Sequence, residues 1–192
     1  GEIVGIAGLM GAGRTELALS VFGNPQGYKV DGEILVNGEN KVFHSPKDAI
    51  DAGIAYVTED RKGNGLNLIE DIKHNITIAN INALAKNSVI NENEEVNAAN
   101  KYLKSINIKA PSIEQCVGNL SGGNQQKVSV AKWLFASPDL LILDEPTRGI
   151  DVGAKFEIYQ LMIDLAREGK SIIMVSSEMP ELLGICDRIL AM

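Results

Sequence analysis

The chain has 192 residues, 45% of them hydrophobic and 22% charged, with a formal net charge of −7. That length suits one domain, or one domain with a small insert, and the composition excludes disorder as a default. The acidic balance argues against a nucleic-acid partner, which would select a basic surface, but not against ATP, because backbone N–H groups bind phosphate locally inside acidic proteins.

Along the chain, Glu2 to Ala7 is a short apolar run ahead of glycines and predicts a buried strand. Arg14 to Phe22 follows as a helix, with Leu17 and Val21 on one face. Glu33 to Val36 predicts a brief strand after Asp31-Gly32. Ser45-Pro46-Lys47-Asp48 is a helix start, with Ser45 as cap and Pro46 in the first turn; Gly53 ends that helix and Ile54 to Val57 makes the next strand. From Arg61 to about Gln126 polar, Asn-rich helical sequence replaces the alternation. There Asn91 with Glu94 predicts a capping box, and Val96, Ala99, Leu103 and Ile106 line one face. Alternation then resumes: a helix from about Gly123 to Phe135, a strand Leu140 to Leu143 and a helix Val152 to Arg167 closed by Gly169. A strand Ser171 to Val175, a short helix near Pro180 and a last strand from Arg188 to Met192 complete the series. Repeated strand–helix–strand units predict an α/β fold with a mostly parallel sheet. The expected division is a phosphate-binding core over residues 1–60 and 127–192, with an inserted helical subdomain over 61–126.

No apolar run approaches the roughly 20 residues that span a bilayer, and no signal-type start opens the chain. Cys116 and Cys186 have neither metal nor redox spacing and read as free thiols in a reducing cytosol. The chain begins at Gly1 without methionine and stops in strand-like sequence, so it reads as a piece of something longer. His44 and His74 have no ligand-like neighbours, and Trp133 is expected to pack its helix on the sheet.

Gly8-Leu9-Met10-Gly11-Ala12-Gly13-Arg14-Thr15 fits the phosphate loop G-x-x-x-x-G-K-[ST], with arginine in place of lysine, between a strand and a helix start. Glycines let the backbone curl around an anion with its N–H groups inward, the helix N-terminus adds about half a positive charge, and Thr15 offers a hydroxyl to Mg²⁺. A Gly-rich turn that binds nothing is the bland alternative. Guanidinium is planar and bulkier than ammonium, so nucleotide binding is expected to survive at Arg14 while hydrolysis suffers.

Leu140 to Pro146 (LLILDEP) is an apolar strand ending in two carboxylates. Asp144 would hold Mg²⁺ and Glu145 would polarise the attacking water; solvated acids at a strand end are the alternative. Leu120 to Gln126 (LSGGNQQ) opens a helix with Ser121, Gly122 and Gly123, which present backbone donors to an anion, unless Ser121 simply caps that helix.

Taken in order, the phosphate loop, LSGGNQQK and LLILDEP resemble the ATP-binding cassette (ABC) ATPases, over essentially the whole chain. AGLMGAGRTE, YVTEDRKGNGL, DEPTRGIDVGAKFEIY and VSSEMPELLGICDRI are similar to the second, C-terminal nucleotide-binding domain of the ATPase subunits of bacterial monosaccharide importers, which handle xylose, ribose, galactose or arabinose. GLNLIEDIKHNITIAN looks closest to the xylose and multiple-sugar members.

The resemblance implies a P-loop NTPase fold, ATP and Mg²⁺ as cofactors, and Glu145 and Ser177 as catalytic positions. It places Glu59 where most cassettes carry a glutamine, Ser177 where most carry a switch histidine, and Gly149-Ile150-Asp151 in the loop that communicates across the dimer. Arg14, Glu59 and Ser177 are then three departures that touch one γ-phosphate; neutral drift is the alternative to a coordinated loss. Two such domains close head to tail in this family. Ser121, Gly122 and Gly123 would therefore serve ATP on a second domain of the same polypeptide, while Arg14, Thr15, Asp144 and Glu145 build a weaker site. Transmembrane permease subunits would dock at the Thr58 to Asp71 face on the cytoplasmic side of the membrane, with a sugar-binding protein as indirect partner. The alternative for Glu59, Asp60, Arg61 and Lys62 is a solvated loop. The adenine-stacking aromatic would lie upstream, so weak affinity and little ATPase activity are expected of this piece alone. A non-hydrolysing regulatory nucleotide-binding module, and a cassette acting on DNA or ribosomes, are the competing classes; the acidic balance counts against the last.

Overall fold

The computed structural model describes residues 1–9, 11–86 and 88–192. In chain order the elements are β1 (Ile3–Ala7), α1 (Arg14–Val21), β2 (Ile34–Val36), β3 (Glu39–Lys41), α2 (Pro46–Asp51), β4 (Ile54–Val57), α3 (Ile72–Thr77), β5 (Ala85–Lys86) and β6 (Val89–Ile90). They continue with α4 (Glu92–Ser105), α5 (Gly122–Phe135), β7 (Leu140–Asp144), α6 (Val152–Arg167), β8 (Ser171–Ser176), α7 (Met179–Ile185) and β9 (Arg188–Ala191). One compact unit comprises Gly1–Tyr56, Pro138–Pro146 and Met162–Met192, and a second comprises Val57–Ser137 and Thr147–Leu161.

The first unit is built on a five-stranded sheet in the order β4-β7-β8-β1-β9. β1 pairs in parallel with β8 and β9, and β7 with β8, with Ala7 opposite Ser176 and Asp144 opposite Val175. Parallel pairing brings the carboxyl ends of β1, β7 and β8 to one edge, where open α/β sheets hold their ligands. Leu141, Ile142, Leu143, Ile172, Met174 and Val175 are each at most 1% exposed, as strands covered on both faces must be. Gly5 is needed for close packing: a Cβ there would stand 2.9 Å from Cys186 Sγ and 3.1 Å from Leu182 Cδ2, so α7 lies directly on β1. Ser45 caps α2 in a full capping box with Asp48.

The second unit is helical. Leu66, Ile72, Ile76, Ile106, Ile108, Val117, Leu120, Val128 and Ala131 form its apolar core. Because Val128 and Ala131 of α5 bury themselves in that cluster, with Leu161 of α6 packed against it, α5 and the start of α6 belong to the helical unit. The expected division at 61–126 against 127–192 is corrected accordingly. Trp133, expected on the sheet, is half-buried in this unit with the Lys132 ammonium 5.2 Å from its ring centre.

Three local expectations also change. Leu17 is 41% exposed, and α1 buries Arg14, Ala18 and Leu19 instead. Ala99 of α4 and Ile106, its C-cap, are buried, but Glu95 rather than Val96 joins them, accepting a 2.8 Å hydrogen bond from the Thr77 hydroxyl and lying 3.6 Å from Lys73 Nζ. Asn91 caps α4 through the Asn93 and Glu94 amides, while Glu94 bonds the Asn91 side chain rather than its backbone. β2 and β3 form a hairpin whose Asn37-Gly38 turn has positive φ at both residues, a signal present in the sequence.

Candidate functional site

β1 runs into a curled turn. The Ala12 N–H donates to Leu9 O at 3.0 Å, and a Cβ on Gly8 would lie 3.1 Å from Arg14 Cδ and 3.2 Å from Ala12 Cβ. Gly11 and Gly13 take φ of 82° and 89°, a region closed to most side chains. Gly13 is also the N-cap of α1 and supplies no side-chain cap, so the first amides of that helix are left for another acceptor. Leu9 is exposed; Met10 lies outside the described residues.

At the end of β7, Asp144 is fully buried and accepts a 2.8 Å hydrogen bond from the Tyr56 hydroxyl on Oδ2. Burial pushes its carboxyl above the usual range, against hydrogen bonds from Tyr56 and Thr15 and the charge of Arg14. Among the described residues its Oδ1 is buried without a hydrogen-bond partner. An orphaned carboxylate oxygen beside a threonine hydroxyl fits a hard divalent cation such as Mg²⁺, which takes oxygen ligands. A bound Mg²⁺ would supply charge neutralisation for phosphate oxygens here.

Glu145 leaves the strand with φ of 45°, an uncommon conformation for a side chain with a Cβ, while its N–H still donates to Val175 O at 2.9 Å. That turn sends its carboxylate to Arg14, whose Nη1 stands 3.1 Å from Oε1; the side chains are each 9% exposed. Nη1 has no aligned hydrogen bond, so the contact is a charge pair. Ser177, just beyond β8, donates its N–H to Oε1 at 2.8 Å and its hydroxyl to Oε2 at 3.2 Å. Both oxygens of Glu145 are therefore engaged by the chain itself.

Arg14, Thr15, Asp144, Glu145 and Ser177 thus meet in the first unit, whereas Glu59, Ser121, Gly122 and Gly123 lie in the second. Glu59 pairs with Arg148, and Arg61 Nη1 donates to Arg148 O at 3.0 Å. Glu59, expected at the γ-phosphate, is engaged in that pair within the second unit. Ser121 occupies the N-cap position of α5 without making a side-chain cap bond, so capping does not account for it. A Cβ on Gly123 would come within 2.6 Å of Ala154 Cβ, and one on Gly122 within 3.1 Å of Arg61 Nη2 and 3.3 Å of Gly149 O. Asp151 accepts the Ala154 N–H at 3.0 Å, at the start of α6. Beside Asn124, the residues that sequence reasoning left without a role are Tyr56 and Arg148. Tyr56 is 88 positions from Asp144, and no spacing rule joins them. Among the described residues no group of three or more His, Cys, Asp or Glu forms a metal cluster, and both cysteines are free.

Residues 1–148 match the family profile described as ABC transporter. The chain is 58% identical, over its full length, to an L-arabinose transport ATP-binding protein of Geobacillus stearothermophilus, AraG, of which it covers 37%. It is 59% identical over 99% of its length to a xylose import ATP-binding protein of Thermoanaerobacter pseudethanolicus, XylG, again covering 37% of it. It is also 52% identical over its full length to a ribose import ATP-binding protein of Clostridium tetani, RbsA, covering 38% of it. The chain thus spans less than two-fifths of the length of these relatives. Among solved structures, a nucleotide-free ATP-binding cassette superposes with a TM-score of 0.84 at 20% identity, covering all of this chain and 76% of that one. A dimeric cassette bound to ADP and phosphate superposes at 0.79 and 20% identity, with all of this chain and 81% of that one covered. These likenesses show the α/β P-loop fold.

Proposed function

Because the chain belongs to the ABC transporter family, we propose that it is an ATP- and Mg²⁺-binding domain of a subunit that powers monosaccharide import, with its own site weakened for hydrolysis. The carrying observation is the cluster at the strand ends. Thr15 and Asp144 fit a metal, but Arg14 and Ser177 occupy both oxygens of the acid that would polarise water. The names of the relatives, for L-arabinose, xylose and ribose, support the substrate class. The resemblance to second, C-terminal domains supports placing this chain in that half of a two-domain polypeptide. Its signature residues Ser121, Gly122 and Gly123 then serve ATP bound by the other half.

Permease subunits on the cytoplasmic face of the membrane are the proposed docking partners. No described helix is long and apolar enough to cross a membrane. A hollow of about 500 Å³ in the second unit, lined by Leu66, Leu68, His74 and Ile78 among others, supports the Thr58 to Asp71 face as their seat. The same engagement of Glu145 favours the alternative, a regulatory module that holds nucleotide without hydrolysing it. Replacing Glu145 by Gln here, and its counterpart in the other half, tests the asymmetry through ATP turnover of the whole transporter. The expected outcome is a small loss here and near-abolition there; equal losses overturn it.

A further inference from the structure

β4 and β7 are neighbours in the sheet, and Tyr56 reaches from one to the other, with its hydroxyl 2.8 Å from Asp144 Oδ2. An ionised carboxylate can only accept, so the phenol donates. Tyr56 is 6% exposed and Asp144 fully buried, which screens the pair from bulk water. The last torsion of an aspartate is broad and roughly two-fold, so without an anchor either oxygen can face a ligand. Tyr56 sets that torsion. It ties Oδ2 to β4, and among the described residues Oδ1 is left as the buried oxygen without a partner.

The anchor is itself held. The Tyr56 ring lies 5.6 Å from that of Phe22, centre to centre, with 34° between their planes, and Phe22 is the buried C-cap of α1. Thr15 is the second residue of the same helix, and its hydroxyl bonds the Asp144 carboxylate. One helix therefore carries a candidate metal ligand at its start and packs at its end on the ring that orients the other. Removing only the phenolic oxygen would keep that packing and loosen the carboxylate alone. Such loosening does not affect all cations equally. Mg²⁺ demands near-ideal octahedral geometry at about 2.0–2.1 Å, whereas Ca²⁺ accepts about six to eight oxygens at longer and more variable distances. A carboxylate fixed in one orientation favours the strict ion, and a loose one favours the tolerant ion.

We propose that Tyr56 is a positioning residue that makes the Asp144 site select Mg²⁺ over Ca²⁺, by holding the carboxylate in one orientation. This rests on the Mg²⁺-binding function proposed above and adds the device that gives the site its selectivity. Tyr56 acts only through Asp144, so its hydroxyl matters only while position 144 carries a carboxylate.

The test is the ATP affinity of the protein in Mg²⁺, in Ca²⁺ and in EDTA, for the wild type, Tyr56→Phe, Asp144→Asn and the double variant. Tyr56→Phe should lower the Mg²⁺ enhancement of ATP affinity about tenfold, the scale expected when a metal ligand loses its hydrogen-bond partner, and the Ca²⁺ enhancement less than about twofold. Its affinity in EDTA should equal that of the wild type, which shows the variant to be folded. In the Asp144→Asn background, Tyr56→Phe should change nothing further. An unchanged Mg²⁺ enhancement, equal losses for the two ions, or the same loss in the Asp144→Asn background overturns the proposal. A Tyr56→Phe protein that binds no ATP in EDTA overturns it too, because the hydroxyl then supports the fold as a whole. A wild type whose ATP affinity is the same in Mg²⁺ and in EDTA overturns the parent reading of a metal site, which separates the two failures.

Discussion

At the strand ends of the first unit, Arg14, Glu145 and Ser177 satisfy one another, whereas at the head of α5 in the second unit Ser121 accepts from Asn124 without capping the helix, and Gly122 and Gly123 make room for Arg61, Gly149 and Ala154. The first arrangement closes a charged cluster upon itself; the second leaves the amides at the helix start without a side-chain cap. Under the proposed function, the contrast places the difference between the two regions in hydrogen-bonding capacity rather than in the presence of motif residues. What matters is whether their hydrogen-bonding capacity is already consumed.

Removing one side of the buried pair is the severest way to break the contrast. Arg14→Ala leaves the Glu145 carboxylate buried with only the Ser177 donors, and a cost of about 3 kcal/mol is expected in equilibrium urea unfolding. A loss near zero would mean that the cluster is already solvated and the acid free for water.

Acid titration of unfolding sharpens the comparison, because the two regions respond with opposite sign. Glu157 lies below its unfolded value of 4.5, so its stabilisation is complete above 4.5 and lost as pH falls toward about 2; Glu157→Gln should flatten that limb. Asp144 lies above its unfolded value of 3.8, so it costs stability at neutral pH and the cost is relieved as pH falls through its raised value. Asp144→Asn should therefore raise stability near neutrality while weakening Mg²⁺ binding, and urea midpoints across pH 2 to 7 with both variants read the two signs apart.

The smallest expected effect distinguishes two serines that look alike in sequence. Ser45→Ala, at a true cap, should cost about 1 kcal/mol, whereas Ser121→Ala should cost less than about 0.5 kcal/mol, because its hydroxyl caps nothing. Equal costs, measured by thermal melting, would restore capping as the role of Ser121.

Much of the site was legible because its determinants are local. The Gly8 to Thr15 turn needs glycines at left-handed positions within a few residues, and a four-residue apolar run into Asp144 announces a buried strand end. Tyr56 on Asp144 and Arg148 on Glu59 were not legible, since each pair is joined only by folding and neither spacing nor periodicity marks it. The amphipathic pattern on α4 misplaced one position because Thr77 and Lys73 compensate a buried Glu95 from another helix.

Strand–helix alternation, the glycine-rich turn, the Ser45 cap and the order of motifs follow from the linear chain alone, because steric and hydrogen-bonding preferences act over a handful of residues. The closing of Arg14 and Ser177 on Glu145 and the orphaned oxygen of Asp144 were decided only by the tertiary structure. Each depends on which distant group arrives within hydrogen-bonding distance, and the parallel sheet and the helical core set that distance, not the spacing along the chain.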